Sequence, residues 1–135
     1  MTVQWATTLR NALLDQWEAS IGTSAVVKIR DGAPPANCAA ADSGTVLVEF
    51  DLASDWASAA SGGSKSLSSL PVSAAAVASG TAAHYRIYES TETTCFEQGT
   101  VTAGGGGGDM IIDNTTIVSG QTVQITAFTK TAPGA

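Results

Sequence analysis

The feature that most constrains the fold is a change of hydrophobic period at Gly22. Ahead of it, Leu9, Leu13 and Trp17 recur at i, i+4 and i+8. This spacing predicts an amphipathic helix over residues 6–21 whose apolar stripe packs on the rest of the chain. After Gly22, the apolar residues recur mainly in short segments of period two, which is the pattern of strands.

Several of these segments are clear strands. In residues 45–52, Val46, Val48 and Phe50 share one face, and in residues 82–89 Tyr85 and Ile87 alternate with polar or aromatic neighbours. The other predicted strands are 25–30, 95–101, 109–117 and 122–129, and residues 65–80 are consistent with strand or loop.

No helix is expected between these strands, so their pairing should be mainly antiparallel. Seven or eight short strands at regular spacing indicate a β-sandwich or jelly roll. We therefore expect a mainly β fold in a single domain, residues 1–135, with the helix at 6–21 and the sandwich over 25–130. The length of 135 residues suits one domain with its own core.

Charge excludes some classes of partner. The net charge is −6, and the six Lys and Arg residues are scattered singly. Without a basic cluster, nucleic acid and anionic membrane surfaces are not expected partners. No segment is long and apolar enough to span a bilayer, and the first residues lack the pattern of a signal peptide. We expect a protein that is made in a cytoplasm.

The sequence gives little support for catalysis, a cofactor or a metal site. His84 is the single histidine, and no G-x-S-x-G motif accompanies it. Glu49 and Asp51 share a predicted strand face, where a solvated surface is the simpler interpretation. Cys38 and Cys95 are too few for a structural zinc site, and both a disulfide and two separate reduced thiols remain open. We therefore predict no catalytic, cofactor-binding or metal-ligating residue.

Some residues are better candidates for a protein interface. Trp56 lies in a Gly/Ser-rich loop, where it either folds back on the core or contacts a partner; Trp5 precedes the helix. A run of five glycines indicates a sharp bend, a close backbone approach or a mobile loop. The predicted interface residues are Trp5, Trp56, Gly104, Gly105, Gly106, Gly107 and Gly108.

The order of six segments resembles a group of small virion proteins of tailed bacteriophages. The segments are residues 5–15 (WATTLRNALLD), 27–37 (VKIRDGAPPAN), 57–63 (ASAASGG), 80–88 (GTAAHYRIY), 110–115 (MIIDNT) and 119–126 (SGQTVQIT). This resemblance covers nearly the whole chain, apart from the long glycine run. It implies a capsid decoration or cement protein, or a component of the neck or tail. A decoration protein would lie on the capsid exterior, be assembled in the host cytoplasm, bind the major capsid protein and associate with itself as a dimer or trimer.

Two other functions stay open from the sequence. A tail or receptor-binding component of the virion would require an aromatic groove or a trimeric fibre. A small hydrolase would require a cleft that joins His84 to a serine and a carboxylate. The capsid decoration protein is the interpretation that we favour, because low charge and Ser/Thr-rich faces suit repeated packing between subunits.

Overall fold

The computed structural model describes residues 2–135, which form one helix followed by short strands. The helix is α1 (Thr7–Ile21). The strands are β1 (Val26–Arg30), β2 (Val46–Asp51), β3 (Ser64–Ser66), β4 (Val72–Ala75), β5 (Gly80–Thr81), β6 (His84–Tyr88), β7 (Cys95–Ala103), β8 (Met110–Ile112), β9 (Thr116–Ile117), β10 (Thr122–Ala127) and β11 (Thr129–Thr131).

Seven of the strands form one sheet that nearly closes on itself. Their order is β2-β1-β6-β7-β8-β10-β4, and every neighbouring pair is antiparallel except the parallel pair β7 and β8. The two ends meet where Val48 bridges to Ala76 and the Val77 N–H donates to the Leu47 carbonyl at 2.8 Å. The predicted mainly β fold with one N-terminal helix is confirmed. A sandwich or jelly roll is not confirmed: the seven main strands form one mixed, nearly closed sheet, and β3 with β11 and β5 with β9 form two separate two-stranded sheets.

The core lies inside this sheet and follows the strand period. Val27 and Ile29 of β1 and Tyr85 and Ile87 of β6 point inward and are buried. Leu47 breaks the alternation of β2, yet it is also buried. The pairing of β1 with β2 shifts register beside it, so that Leu47 is the extra residue of a β-bulge.

The helix lies at the predicted position, but its buried face is rotated from the predicted one. Arg10, Leu14 and Ile21 are buried, whereas Leu9 and Leu13 are exposed. The expectation that Leu9 and Leu13 pack inward is therefore wrong. The physical reason is that polar backbone groups lie beneath the start of α1. Arg10 must face inward so that its guanidinium can donate hydrogen bonds to them.

Two buried cations hold α1 against the ribbon formed by β3 and β11. The Arg10 Nη2 atom donates to the Ala132 carbonyl at 2.9 Å. The Lys65 Nζ atom donates to Asp15 at 2.7 Å and to Glu18 at 2.6 Å. Burial works to lower the pKa of Lys65, but the two carboxylates outweigh it and raise the pKa, so the ammonium stays charged.

Two predicted strands are divided in the structure. Residues 109–117 become β8 and β9, because the Asn114 side chain accepts the Thr116 N–H at 3.0 Å and turns the backbone. Residues 122–129 become β10 and β11, with the buried Phe128 between them. The predicted strands 82–89 and 95–101 pair as an antiparallel hairpin, β6 with β7.

The glycine run joins the two parallel strands by doubling the chain back. Strand β7 ends at Ala103, yet β8 begins beside Val101, so the intervening loop must reverse twice. The Gly106 N–H donates to the Ala103 carbonyl at 3.0 Å, and the Gly108 N–H donates to the Thr102 hydroxyl at 2.9 Å. The run is thus a compact, hydrogen-bonded loop with a sharp bend and a close approach.

We expect Gly106→Ala to lower the free energy of unfolding by about 2 kcal/mol. A Cβ atom at Gly106 would lie 2.6 Å from the Thr102 Cβ atom, so the loop backbone must shift. Gly104→Ala is the matched control, because a Cβ atom there meets nothing within 4 Å. Urea denaturation of both variants checks the prediction, and equal stabilities would contradict it.

Candidate functional site

The outer face of β6 is covered by the loop of residues 31–45, which we call the strap. The strap is held by side chains that project from β1 and β6, on the side of the sheet away from the core. The Nδ1–H of His84 donates to the Gly32 carbonyl at 2.9 Å, and Arg86 donates to the carbonyls of Asn37 and Ala40 at 2.9 and 3.1 Å. Both faces of β6 are therefore buried, one by the core and one by the strap.

Asp42 is the centre of the polar contacts under the strap. Its carboxylate accepts bonds from Arg86 Nη1 at 2.5 Å, Arg30 Nη2 at 2.9 Å and the Tyr88 hydroxyl at 2.6 Å. Burial works to raise the pKa of Asp42, but the bonds from Tyr88 and Arg86 and the charge of Arg30 lower it overall. The two arginines are more than nine-tenths buried, so this carboxylate neutralises charge that water cannot reach.

A polar cleft of about 410 Å³ opens between the strap and the turn that joins β6 to β7. The turn is organised by Glu89, whose carboxylate accepts hydrogen bonds from Thr91, Thr93 and Thr94. The Thr93 and Thr91 hydroxyls lower the pKa of Glu89 to about 2. The cleft is lined by Cys38, Ala39, Ala40, Ala41, Asp42, Arg86, Tyr88, Glu92, Thr93, Thr94 and Cys95.

The two cysteines lie together at the edge of this cleft. Cys38 and Cys95 both line its wall, and both residues are half-buried. Burial and the neighbouring Cys38 raise the pKa of Cys95, so its thiol is protonated at neutral pH. The structure has them as two free thiols.

His84 does not line this cleft. Its ring is fully buried, and its Nδ1 atom is bonded to the strap. Glu49 is 3.7 Å from the Lys28 ammonium, which also pairs with Glu92 at 2.9 Å. Of the two carboxylates named from the sequence, Glu49 thus belongs to a surface ion pair, and Asp51 is exposed at the end of β2. Among residues 2–135, no group of three His, Cys, Asp or Glu side chains could hold a metal ion.

The predicted interface residues lie in three different places. Trp56 is buried with 2% of its surface exposed, and its Nε1–H donates to the Gly22 carbonyl at 2.8 Å. Of the two alternatives for Trp56, the structure shows the ring folded back on the core. Trp5 is 38% exposed and packs on Gly134 near the C-terminus. The exposed part of the glycine loop, residues 104–107, lies at the far end of β7 from the cleft.

A further surface was missed by the sequence prediction because it was assigned to the core. Leu9, Ala12, Leu13, Gln16 and Ser20 lie at helical spacing on one exposed side of α1, which we call the α1 face. Leu9 is 48% exposed and Leu13 is 43% exposed. The signal in the sequence is that Arg10, Leu14, Trp17 and Ile21 form a second, equally regular stripe.

The α1 face carries no charge. The exposed residues of this fully described helix are Thr7, Thr8, Leu9, Ala12, Leu13, Asp15, Gln16, Ala19 and Ser20. The one charged member, Asp15, is already paired with Lys65. A solvent-facing side of a helix usually carries several charged residues, so this side is atypical.

No family model, curated protein or solved structure matches this chain. Its function must therefore be inferred from its own surfaces. In residues 2–135, none of the helical structure combines the length and hydropathy that crossing a membrane requires.

Proposed function

We propose that this chain is a non-enzymatic structural protein of a tailed-phage virion that decorates the capsid. The observation that carries the proposal is the uncharged α1 face, with Leu9 and Leu13 both more than two-fifths exposed. Exposed, uncharged apolar patches of this kind are typical of surfaces that bind other proteins. The resemblance of six segments to virion proteins supplies the choice of partner.

The surroundings of the α1 face support attachment to a large protein surface. Val3 and Trp5, in the extended segment before the helix, are also exposed, at 69% and 38%. The Trp5 N–H donates to the Gly134 carbonyl at 2.9 Å, which fixes this segment beside the C-terminus. Two further exposed apolar side chains thus precede the α1 face, and the hydrogen bond at Trp5 holds their segment in place before binding, which lowers the entropy cost of association.

Charge favours an apolar partner patch over a charged ligand. The chain has a net charge of −6, whereas the α1 face is neutral. Approach through this face avoids the repulsion that two acidic surfaces would otherwise suffer. We take the partner to be the major capsid protein, whose many symmetric copies let weak single contacts sum to stable decoration.

The test is co-sedimentation of the purified chain with heads of the encoding phage from which this protein has been removed. We expect saturable binding by the wild-type chain and at least tenfold weaker binding by Leu13→Glu, because burial of a charge at the contact is unfavourable. Val77→Glu is the matched control, since Val77 is 65% exposed but lies outside the α1 face.

Three results would contradict parts of the proposal. If the chain binds tails but not heads, the protein is a tail or receptor-binding component and not a decoration protein. An equal loss of head binding for Leu13→Glu and Val77→Glu would show that the contact lies outside the α1 face. Dimers of the free chain that Leu13→Glu dissociates would show that a second copy covers this face instead.

A further inference from the structure

The fold brings together two thiols that lie far apart in the sequence. Cys38 is in the strap, and Cys95 is the first residue of β7. Both residues line the same open cleft, and Cys38 is close enough to raise the pKa of the Cys95 thiol. The sequence alone left open whether these residues meet.

Contacts that do not involve sulfur fix both backbones at this point. Arg86 donates to the carbonyls of Asn37 and Ala40, so the strap is held on either side of Cys38. Cys95 pairs with Tyr88 across the β6–β7 hairpin, which fixes the backbone of Cys95. The placement of both cysteines in one cleft is therefore a property of the fold.

The pair is also accessible from solvent. The residues of the turn that precede Cys95, Thr91 to Thr94, are exposed, and the cleft opens beside them. A small disulfide can therefore reach the sulfur atoms without unfolding of the chain.

We propose that Cys38 and Cys95 are a dithiol that a small disulfide such as oxidised glutathione converts into an intramolecular disulfide. One cysteine thiolate attacks a glutathione sulfur, forms a mixed disulfide and releases one glutathione thiolate. The second cysteine thiolate then attacks the protein sulfur of the mixed disulfide and releases the second glutathione. The protein loses two electrons and two protons, and one glutathione disulfide is reduced to two glutathione molecules.

The bond fastens the strap covalently to β7. Without it, the strap is held by polar contacts with His84, Arg86 and Arg30. With it, the long loop between positions 38 and 95 is closed in the unfolded chain as well, which reduces the entropy gained on unfolding. We expect the oxidised protein to melt about 10 °C higher than the reduced protein.

The experiment treats the folded, full-length chain with oxidised glutathione, followed by alkylation of free thiols and intact mass measurement. We expect a monomer that has lost two hydrogen atoms, retains no glutathione and has no alkylatable thiol, and whose raised melting temperature is reversed by a reductant. Cys38→Ser and Cys95→Ser are the matched controls. Each lacks the resolving thiol and should retain one glutathione per chain.

Other outcomes overturn the proposal. Wild-type chains that keep glutathione, keep both free thiols or form disulfide-linked dimers would show that the two sulfur atoms do not react with each other. A variant with both cysteines changed to alanine should show no response of its melting temperature to the oxidant. An equal rise in that variant would show that the stabilisation has another source.

Discussion

Replacing Trp56 with alanine is expected to lower the free energy of unfolding by about 4 kcal/mol. The ring is almost fully buried, and its centroid lies 5.0 Å from that of Trp17 in an edge-to-face arrangement. The substitution leaves a cavity between α1 and the sheet and an unpaired carbonyl at Gly22. Urea denaturation followed by circular dichroism measures the change.

Trp5→Ala is the control for this result. Trp5 is the more exposed tryptophan, so we expect its removal to cost less than about 1 kcal/mol. Trp56→Phe should fall between the two, because it keeps much of the ring volume and loses the hydrogen bond to Gly22. A Trp56→Ala protein as stable as Trp5→Ala would contradict the core position of Trp56.

Asp42→Asn is expected to lower the free energy of unfolding by about 3 kcal/mol at neutral pH. The amide leaves the buried guanidinium groups of Arg30 and Arg86 without a carboxylate partner. The carboxylate itself is 40% exposed, so solvent screens part of its interaction with the arginines. The expected loss of stability therefore lies at the lower end of the range for breaking a buried ion pair. Asp55→Asn is the control, since Asp55 is exposed and makes no ion pair within residues 2–135.

The difference between wild type and Asp42→Asn should depend on pH. The pKa of Asp42 is lowered from its ordinary value of 3.8 in the folded protein. Its stabilising contribution is therefore complete above that value and is lost as the pH falls through the folded pKa. We expect the two stabilities to converge below about pH 4. A difference that stays constant down to pH 2 would rule out the Asp42 carboxylate as its source.

Local hydrophobic patterns predicted the helix and the strands well, because a hydrophobic period depends only on residues close together in the sequence. The helix and the strands around Val48 and Tyr85 lie where the spacing placed them. The sequence did not determine which side of α1 is buried, since the stripe that contains Leu13 and the stripe that contains Leu14 are equally regular. Contacts such as the pairing of the buried Lys65 with Asp15 decide between them, and these two residues are far apart in the sequence.

The arrangement of the sheet could not be read from local pattern. Parallel pairing of β7 with β8 depends on the doubled-back glycine loop, whose course is set by contacts with Thr102. Burial of Leu47 depends on a register shift opposite β1. In both cases a contact between distant segments determines the geometry.

The candidate site was the least predictable part. Arg86 reads as an outward, solvated strand residue, because alternation cannot show that the strap will cover it. Cys38 comes to the same cleft as Cys95 because the strap covers this side of β6. The sequence left open whether Trp56 lies in the core or on the surface, since a Gly/Ser-rich loop does not reveal where its one large side chain packs.

The closure of the sheet has a consequence for local opening. Strands β2 and β4 meet through the single bridge of Val48 with Ala76 and the bonds from Val77 and Ala78 to the Leu47 carbonyl. The other neighbouring pairs share longer ladders of paired residues. Separation of β2 from β4 is therefore the least costly way to open the sheet. It leaves β2 and β4 as two free edges, each able to pair with an extended segment of another chain.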